Sequence, residues 1–308
     1  MRLVLVGAGP VGRAAAAAAV ADCVVESVIG VVDPDEAARR AASAELGDAP
    51  GYPDLGSLPP GRQGDAAIVA FTSSGEASAA AIVELLSLGY HAVTTCEELA
   101  DPGPHVRRGI ETSAHSDGRI VVATGANPGF VMDRLAVVAG QASRGVRSVA
   151  IQRVVDTSDR RATLVAKTGH GLTPDEFAAG VAERRLGHVG MLESARLVAD
   201  GLGWTVQGAT ESIDPVLEDG RVAGLHQVAR LHTTDGRTVT LDLVMAWRAP
   251  DPHDEVVIDG EPPIRVRVEG GYHGDQGTTA SVVRAVGLLP HLAPGFYRPI
   301  DLPLRPLR

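Results

Sequence analysis

Cysteine is almost absent from this chain: Cys23 and Cys96 are the only two, far apart and outside any metal-binding spacing. Their scarcity excludes a disulfide scaffold and a zinc or iron–sulfur framework, and it favours a reducing compartment. Clustered basic residues are missing too. Lys and Arg total 28 against 38 Asp and Glu, a formal net charge of −10. Phosphate binding along a nucleic acid draws on grouped cations, so a nucleic-acid partner is not expected. No window of 18 apolar residues exists, because Arg13, Asp22 and Glu26 break the most hydrophobic region, and no membrane span is expected. The apolar start Leu3-Val4-Leu5-Val6 is interrupted by glycines too soon for a signal peptide and has no cleavage site behind it. The expected location is therefore the cytoplasm. What is present is 44% apolar residues and 36 glycines in 308 positions, enough for two soluble domains.

The stretch GAGPVG, residues 7–12, follows that apolar run and precedes an alanine-rich helical segment, Arg13 to Ala21. A strand, a G-x-G-x-x-G turn and a helix are the parts of a dinucleotide-binding unit. Gly7 allows the turn, Gly9 lets backbone approach a pyrophosphate, and Gly12 lets the helix pack closely on the strand. Pro10 and Val11 complete the loop, and the helix N-terminus faces the phosphates. A second strand, Val28 to Val32, ends in Asp33, 21 residues past Gly12, where an acid accepts hydrogen bonds from a ribose 2′-OH. The plain alternative is a carboxylate that caps the next helix. Arg39 and Arg40 follow on that helix and are placed to meet a 2′-phosphate, so the sequence leaves NAD and NADP both open as cofactor.

Strands and helices then alternate. A helix over 35–46, a Pro/Gly/Asp-rich loop over 47–64 and a buried strand over 66–71 lead to Thr72, Ser73 and Ser74, whose hydroxyls are expected to cap a helix over 77–88 and line the cofactor site. A strand over 91–95 carries Cys96-Glu97-Glu98 at its tip, and another over 120–123 ends in Thr124-Gly125-Ala126-Asn127-Pro128-Gly129. This is the pattern of a doubly wound parallel α/β sheet. Beyond Val131 come a helix over 133–142 and longer strands of alternating polarity: 146–156, about 217 onward through 222–231, 237–249, 255–258 and 264–269. They predict a mostly antiparallel sheet. Two helices interrupt it, one opening Thr173-Pro174-Asp175-Glu176 as a capping box, the other over about 190–201. A last apolar helix, 278–289, is expected to return to the first domain. Arg160, Arg161 and Lys167 read as solvated strand-end charges, and Trp204 and Trp247 as core or dimer-face residues. No metal site is expected, because the histidines lack ligand spacing and carboxylate partners.

The segments TGANPGFVMDRL (124–135), QRVVDTSDRR (152–161), KTGHGLTPDEF (167–177), GHVGMLESARLVADGLGW (187–204) and GGYHGDQGTTA (270–280) together resemble the 2,4-diaminopentanoate dehydrogenase family, which includes the native NAD(P)-dependent amine dehydrogenases and is similar in fold to dihydrodipicolinate reductase. The resemblance implies a Rossmann-type domain, residues 1–130 with 275–308, and an inserted α+β domain, 131–274, that binds substrate and helps form a homodimer. It implies oxidative deamination of an amine to a carbonyl and ammonia, or the reverse, with an active-site glutamate in the segment that corresponds to TCEEL (95–99). Glu97 and Glu98 share that role at this stage. A carboxylate at a strand tip beside a nicotinamide suits the reaction, since the nitrogen must shed a proton while its carbon loses hydride. Acids after a strand also serve simply as helix-start residues. The resemblance suggests that His188 faces substrate, with a cap or core role as the alternative. Arg153 has the shape to pair a substrate carboxylate or else to bridge to Asp156. His273 lies where the chain crosses between domains and is expected to reach the cleft as a substrate-binding residue, and Asn127 is placed to bind the nicotinamide carboxamide or fix the crossover.

Two other readings compete. A dihydrodipicolinate reductase-type imine reductase carries a paired-histidine, lysine and proline-serine-glycine-threonine signature, of which KTGHGLTPDEF keeps one histidine. A non-catalytic NAD(P)-binding sensor is the other, disfavoured by the two acids and the intact glycine turn.

Overall fold

All four side chains of β1 (Leu3–Val6) are buried, as the central strand of a two-sided parallel sheet requires. The computed structural model describes residues 1–71 and 74–305 of the chain. After β1 come α1 (Pro10–Ala21), β2 (Val28–Val32), α2 (Glu36–Glu45), β3 (Gly51–Tyr52), β4 (Ala66–Val69), α3 (Gly75–Ser87), β5 (His91–Thr94), α4 (Pro104–Ser116) and β6 (Ile120–Ala123). The next elements are α5 (Arg134–Gly140), β7 (Arg144–Asp156), α6 (Ala162–Lys167), α7 (Pro174–Ala182), α8 (Met191–Gly201), β8 (Val206–Glu218), β9 (Arg221–Thr233), β10 (Thr238–Ala246), β11 (His253–Glu261) and β12 (Ile264–Glu269). Helix α9 (Gly274–Leu288) and β13 (Gly295–Tyr297) end the fold. The chain forms two compact units, Met1–Phe130 with His273–Arg308, and Val131–Tyr272.

The first unit holds one parallel sheet in the order β13-β6-β5-β4-β1-β2-β3. Chain direction along the sheet reverses between β1 and β4, the switch point at which Rossmann-type sheets open a crevice at their carboxyl ends. Strand residues alternate between two cores. Leu3, Leu5, Val31 and Ile68 pack with Ala15, Ala16 and Ala19 of α1 and with Val282, Val283 and Val286 of α9. Val4, Val6, Val69 and Val121 pack with Ile82, Leu85 and Leu86 of α3 and Ile110 and Ala114 of α4. Helices cover both faces, as the doubly wound reading predicts.

The second unit is a six-stranded sheet, β12-β11-β7-β10-β9-β8, in which only β7 and β10 run parallel. Helices α5 and α8 pack on it, and Gly140 and Gly201 let them touch: a Cβ at Gly201 would stand 2.6 Å from Val137 Cγ2. Asp219 and Gly220, at φ 50 and 76, form the two-residue turn of the β8–β9 hairpin. The capping box at Thr173 and Glu176 is present as predicted.

Several elements exceed the sequence pattern. Strand β8 begins at Val206, eleven residues before the expected 217, because it is an edge strand exposed on both faces over 206–212 and so has no polar/apolar alternation to read. Pro215 sits within it, tolerated at an edge. Helix α4 has a thin apolar stripe that buries only Ile110 and Ala114. Arg161 and Lys167 are not strand-end charges: Arg161 is the N-cap of the short α6 and Lys167 its last residue. Trp204 is buried with the Arg237 guanidinium 5.5 Å above its ring, and Trp247 is half-buried and stacks on His170 at 4.8 Å.

Where the chain leaves the second unit, the buried guanidinium of Arg153 donates to Asp254 Oδ1 at 3.1 Å and to the Tyr272 carbonyl at 2.7 Å. Asp254, 1% exposed, accepts from the Tyr272 N–H with its other oxygen. The partner of Arg153 is therefore Asp254 and not Asp156, which instead caps the backbone at Ser158 and Arg248. Burial pushes the Asp254 carboxyl up, against the pull of Arg153 and the Tyr272 N–H. Removing one member of a buried pair strands the other charge. Asp254→Ala is expected to cost about 3–5 kcal/mol in urea unfolding, whereas Asp259→Ala, at the exposed Arg147 pair, is expected to cost less than about 1 kcal/mol. Equal losses in the two variants would show that burial of the Arg153 pair carries no weight.

Candidate functional site

Two of the three glycines in the turn after β1 leave no room for a side chain. Gly7 lies at φ +93, and a Cβ there would stand 2.8 Å from Ala70 C and Phe71 N, on the neighbouring strand's exit. A Cβ at Gly12 would stand 2.7 Å from the Gly7 carbonyl and 2.9 Å from Leu5 Cδ1, so its absence sets how closely α1 approaches β1. Gly9 is different. It is the N-cap of α1, and a Cβ there would meet nothing within 4 Å. Among the described residues no side chain caps α1; Pro10 occupies its first turn in an exposed position, and Val11 is half-buried. A helix start of this kind offers backbone N–H groups and a positive dipole end, the donor set that suits a pyrophosphate. The residues present fit a dinucleotide.

Asp33, at the end of β2, folds back on this turn. Its Oδ2 accepts from the Ala8 N–H at 2.7 Å and its Oδ1 from the Asp35 N–H at 2.9 Å. Capping α2 falls to Asp35, whose carboxylate accepts from Ala37 and Ala38.

Along the carboxyl edge of the same sheet, Thr72 and Ser73 lie outside the described residues. Ser74 is the N-cap of α3, with its Oγ accepting from Ala77 N–H at 3.3 Å. Beyond β5 the chain makes a single tight turn, Glu97–Ala100, pinned by the buried Leu99 and Ala100. That turn separates the two acids. Glu98 is exposed and its Oε2 accepts from the Gly75 N–H in the first turn of α3, so it does the helix-start work. Glu97 is half-buried. Beyond β6, Gly125 and Gly129 cross so closely that a Cβ at Gly129 would overlap Gly125 at 2.1–2.4 Å. The loop includes a cis bond between Asn127 and Pro128, and its Ala126 N–H donates to Thr278 Oγ1 of α9 at 3.2 Å. Asn127 is half-buried on this loop. His273 is the N-cap of α9, its Nδ1 accepting from Gln276 N–H at 3.4 Å.

In the second unit, His188 lies half-buried between Gly187 and Gly190, both at positive φ. Its backbone is clamped by Gln227, which is 1% exposed. The amide oxygen accepts from His188 N–H at 2.8 Å, and Nε2 donates to the His188 carbonyl at 2.9 Å and to Glu211 Oε1 at 2.8 Å. All three polar positions of that amide are used, which fixes its orientation. Sequence reasoning missed Gln227; a glutamine in the alternating row of Leu225, Ala229 and Leu231, all buried, is the signal that marks it.

Known proteins bear on these two units as follows. The family model described as the 2,4-diaminopentanoate dehydrogenase C-terminal domain matches residues 130–306. The chain is 29% identical over 233 residues to the 2,4-diaminopentanoate dehydrogenase of Acetoanaerobium sticklandii, a match spanning 69% of this chain and 66% of that protein, just under two thirds of its length. Among solved structures, an amine dehydrogenase from Mycobacterium smegmatis shares the fold at a TM-score of 0.76 with 20% identity, over 100% of this chain and 97% of that one. A myo-inositol 2-dehydrogenase from Lactobacillus plantarum does so at 0.65 with 13% identity, over 100% and 92%. The last two show architecture alone. With more than half of its length matched by the family model, the chain belongs to the 2,4-diaminopentanoate dehydrogenase family.

Proposed function

We propose that the protein is an NAD(P)-dependent amine dehydrogenase, oxidising an amine to a carbonyl compound with release of ammonia and running the reverse reductive amination. The single observation that supports the reading is at the tip of β5: Glu98 is bonded to the start of α3, which favours its half-buried neighbour Glu97 for the proton chemistry. When bound, the nicotinamide ring supplies the hydride acceptor or donor. The chain's own residues do the rest. N–H groups at the start of α1 hold the pyrophosphate, and Asp33 holds the adenosine ribose. Glu97 pairs with the substrate ammonium and takes a proton from it, so that the nitrogen lone pair forms the C=N bond as hydride departs from the carbon. Glu97 passes that proton to solvent. Water then adds to the iminium carbon with loss of a proton to Glu97, which hands it to the nitrogen. As the C–N bond breaks, ammonia leaves while Glu97 takes the hydroxyl proton and the C=O bond forms.

The remaining candidates divide. Arg153 has two of its donors spent inside the fold and is read as a structural cation, not a substrate ligand. His188, with its main chain clamped, and His273, with Nδ1 used as a cap, stay as substrate-facing candidates through their rings. Asn127 is assigned to the carboxamide or to holding its loop. The relative's name makes 2,4-diaminopentanoate the first amine to test. A homodimer is proposed through the sheet face of the second unit that carries Ala150, Thr240 and Val257 side by side on β7, β10 and β11; Ala150 and Val257 are exposed. The cytoplasm is proposed on the cysteine usage; no helix among the described residues is long and apolar enough to cross a membrane.

Two tests follow from this. With NAD(P) and a panel of amines headed by 2,4-diaminopentanoate, Glu97→Gln is expected to lose about 10²–10⁴-fold in turnover with cofactor binding kept, while Glu98→Gln retains most activity. Full activity of Glu97→Gln removes the assignment. Sedimentation velocity is expected to give a dimer that Ala150→Arg converts to monomer, and a wild-type monomer would dispose of the proposed interface.

A further inference from the structure

The sequence leaves NAD and NADP open because Arg39 and Arg40 follow Asp33, and the local geometry closes that choice. The Asp33 carboxylate is not swinging in solvent. Both oxygens accept backbone N–H groups, one of them from Ala8 in the middle of the glycine turn. Swinging the acid away to make room for an anion would leave the Ala8 and Asp35 N–H groups to find new partners. Each carboxylate oxygen has a second lone pair, so a sugar hydroxyl can still donate to it. A phosphate dianion has no proton to donate and would bring about 1.5–2 negative charges against a fixed one.

Neither arginine offsets this. Arg39 lies with its stem against β3, since a Cβ at Gly51 would stand 3.0 Å from Arg39 Cγ and 3.1 Å from Cδ. Its Nη1 donates to the backbone carbonyl of Asp33 at 2.6 Å, so it braces the acid from behind. Arg40, one residue on and exposed, pairs with Glu36 along the helix. The segment that meets the ribose thus presents Asp33, Asp35 and Glu36, and its two cations are engaged with this same segment.

Resting on the dinucleotide reading above, we infer that this chain selects NAD over NADP, with Asp33 as the specificity-determining residue and Arg39 as the residue that positions it. The discriminating group is the 2′-substituent of the adenosine ribose: a hydroxyl completes the acceptor set of Asp33, and a phosphate is repelled by it.

The test is equilibrium titration of the full-length protein with NADH and with NADPH, followed by nicotinamide fluorescence and checked by calorimetry. Wild type is expected to bind NADH roughly tenfold or more tightly than NADPH. Asp33→Ser is expected to weaken NADH and strengthen NADPH, closing most of that gap. Arg40→Ala is expected to leave the ratio within about twofold, since exposed pairs of this kind carry little energy. NADPH bound by wild type as tightly as NADH, or lost on Arg40→Ala, overturns the inference while leaving the dinucleotide reading intact. Binding of neither nucleotide overturns both.

Discussion

The close approach of α1 to β1 is the constraint from which the first unit follows. It exists because Gly12 has no Cβ to strike the Gly7 carbonyl and Leu5, and because Ala15, Ala16 and Ala19 present the smallest side chains that still bury a helix face. Distance here sets chemistry. Only a helix that close delivers its uncapped N–H groups to the carboxyl edge of the sheet, and only the φ of +93 at Gly7 turns the chain so that the Ala8 N–H meets Asp33. A methyl group at Gly12 would strike the Gly7 carbonyl and Leu5 and push the helix outward, and one at Gly7 would strike the backbone at Ala70 and Phe71.

A second feature is how one short turn makes two adjacent, chemically identical acids unlike. Glu97 and Glu98 are neighbours in sequence, in the tight turn that buries Leu99 and Ala100, but they differ in exposure. Glu98 reaches the first turn of α3 and satisfies a backbone donor there; Glu97 is half-buried. Environment separates chemically identical side chains, the physical basis on which the proton chemistry is proposed for Glu97. Gln227 plays a comparable part in the second unit, where one buried amide accepts from the His188 N–H and donates to the His188 carbonyl and to Glu211.

Much of this was legible in the residues and some of it was not, for definable reasons. Parallel strands such as Leu3–Val6 and Ala66–Val69 announce themselves as short apolar runs because both of their faces are covered. The capping box at Thr173 is local chemistry and needs no tertiary context. By contrast, β8 has no pattern because it has no buried face over most of its length, and α4 buries two residues only. The pairing of Arg153 with Asp254 spans 101 positions and two strands, and Asp156 is the nearer acid in sequence; register, not proximity in the chain, brings Asp254 opposite Arg153. The choice between Glu97 and Glu98 likewise needed the position of Gly75, a residue on another element.

The central claim is that hydride moves between the carbon bearing a substrate nitrogen and a nucleotide held by the glycine turn. It is tested most directly by supplying 2,4-diaminopentanoate, then a panel of simple amines, deuterated at the amine-bearing carbons, together with NAD, and analysing the reduced cofactor by mass spectrometry and NMR. The account predicts a single deuterium at C4 of the nicotinamide. Reduced cofactor without deuterium, or bound cofactor that no amine of the panel reduces, would contradict it.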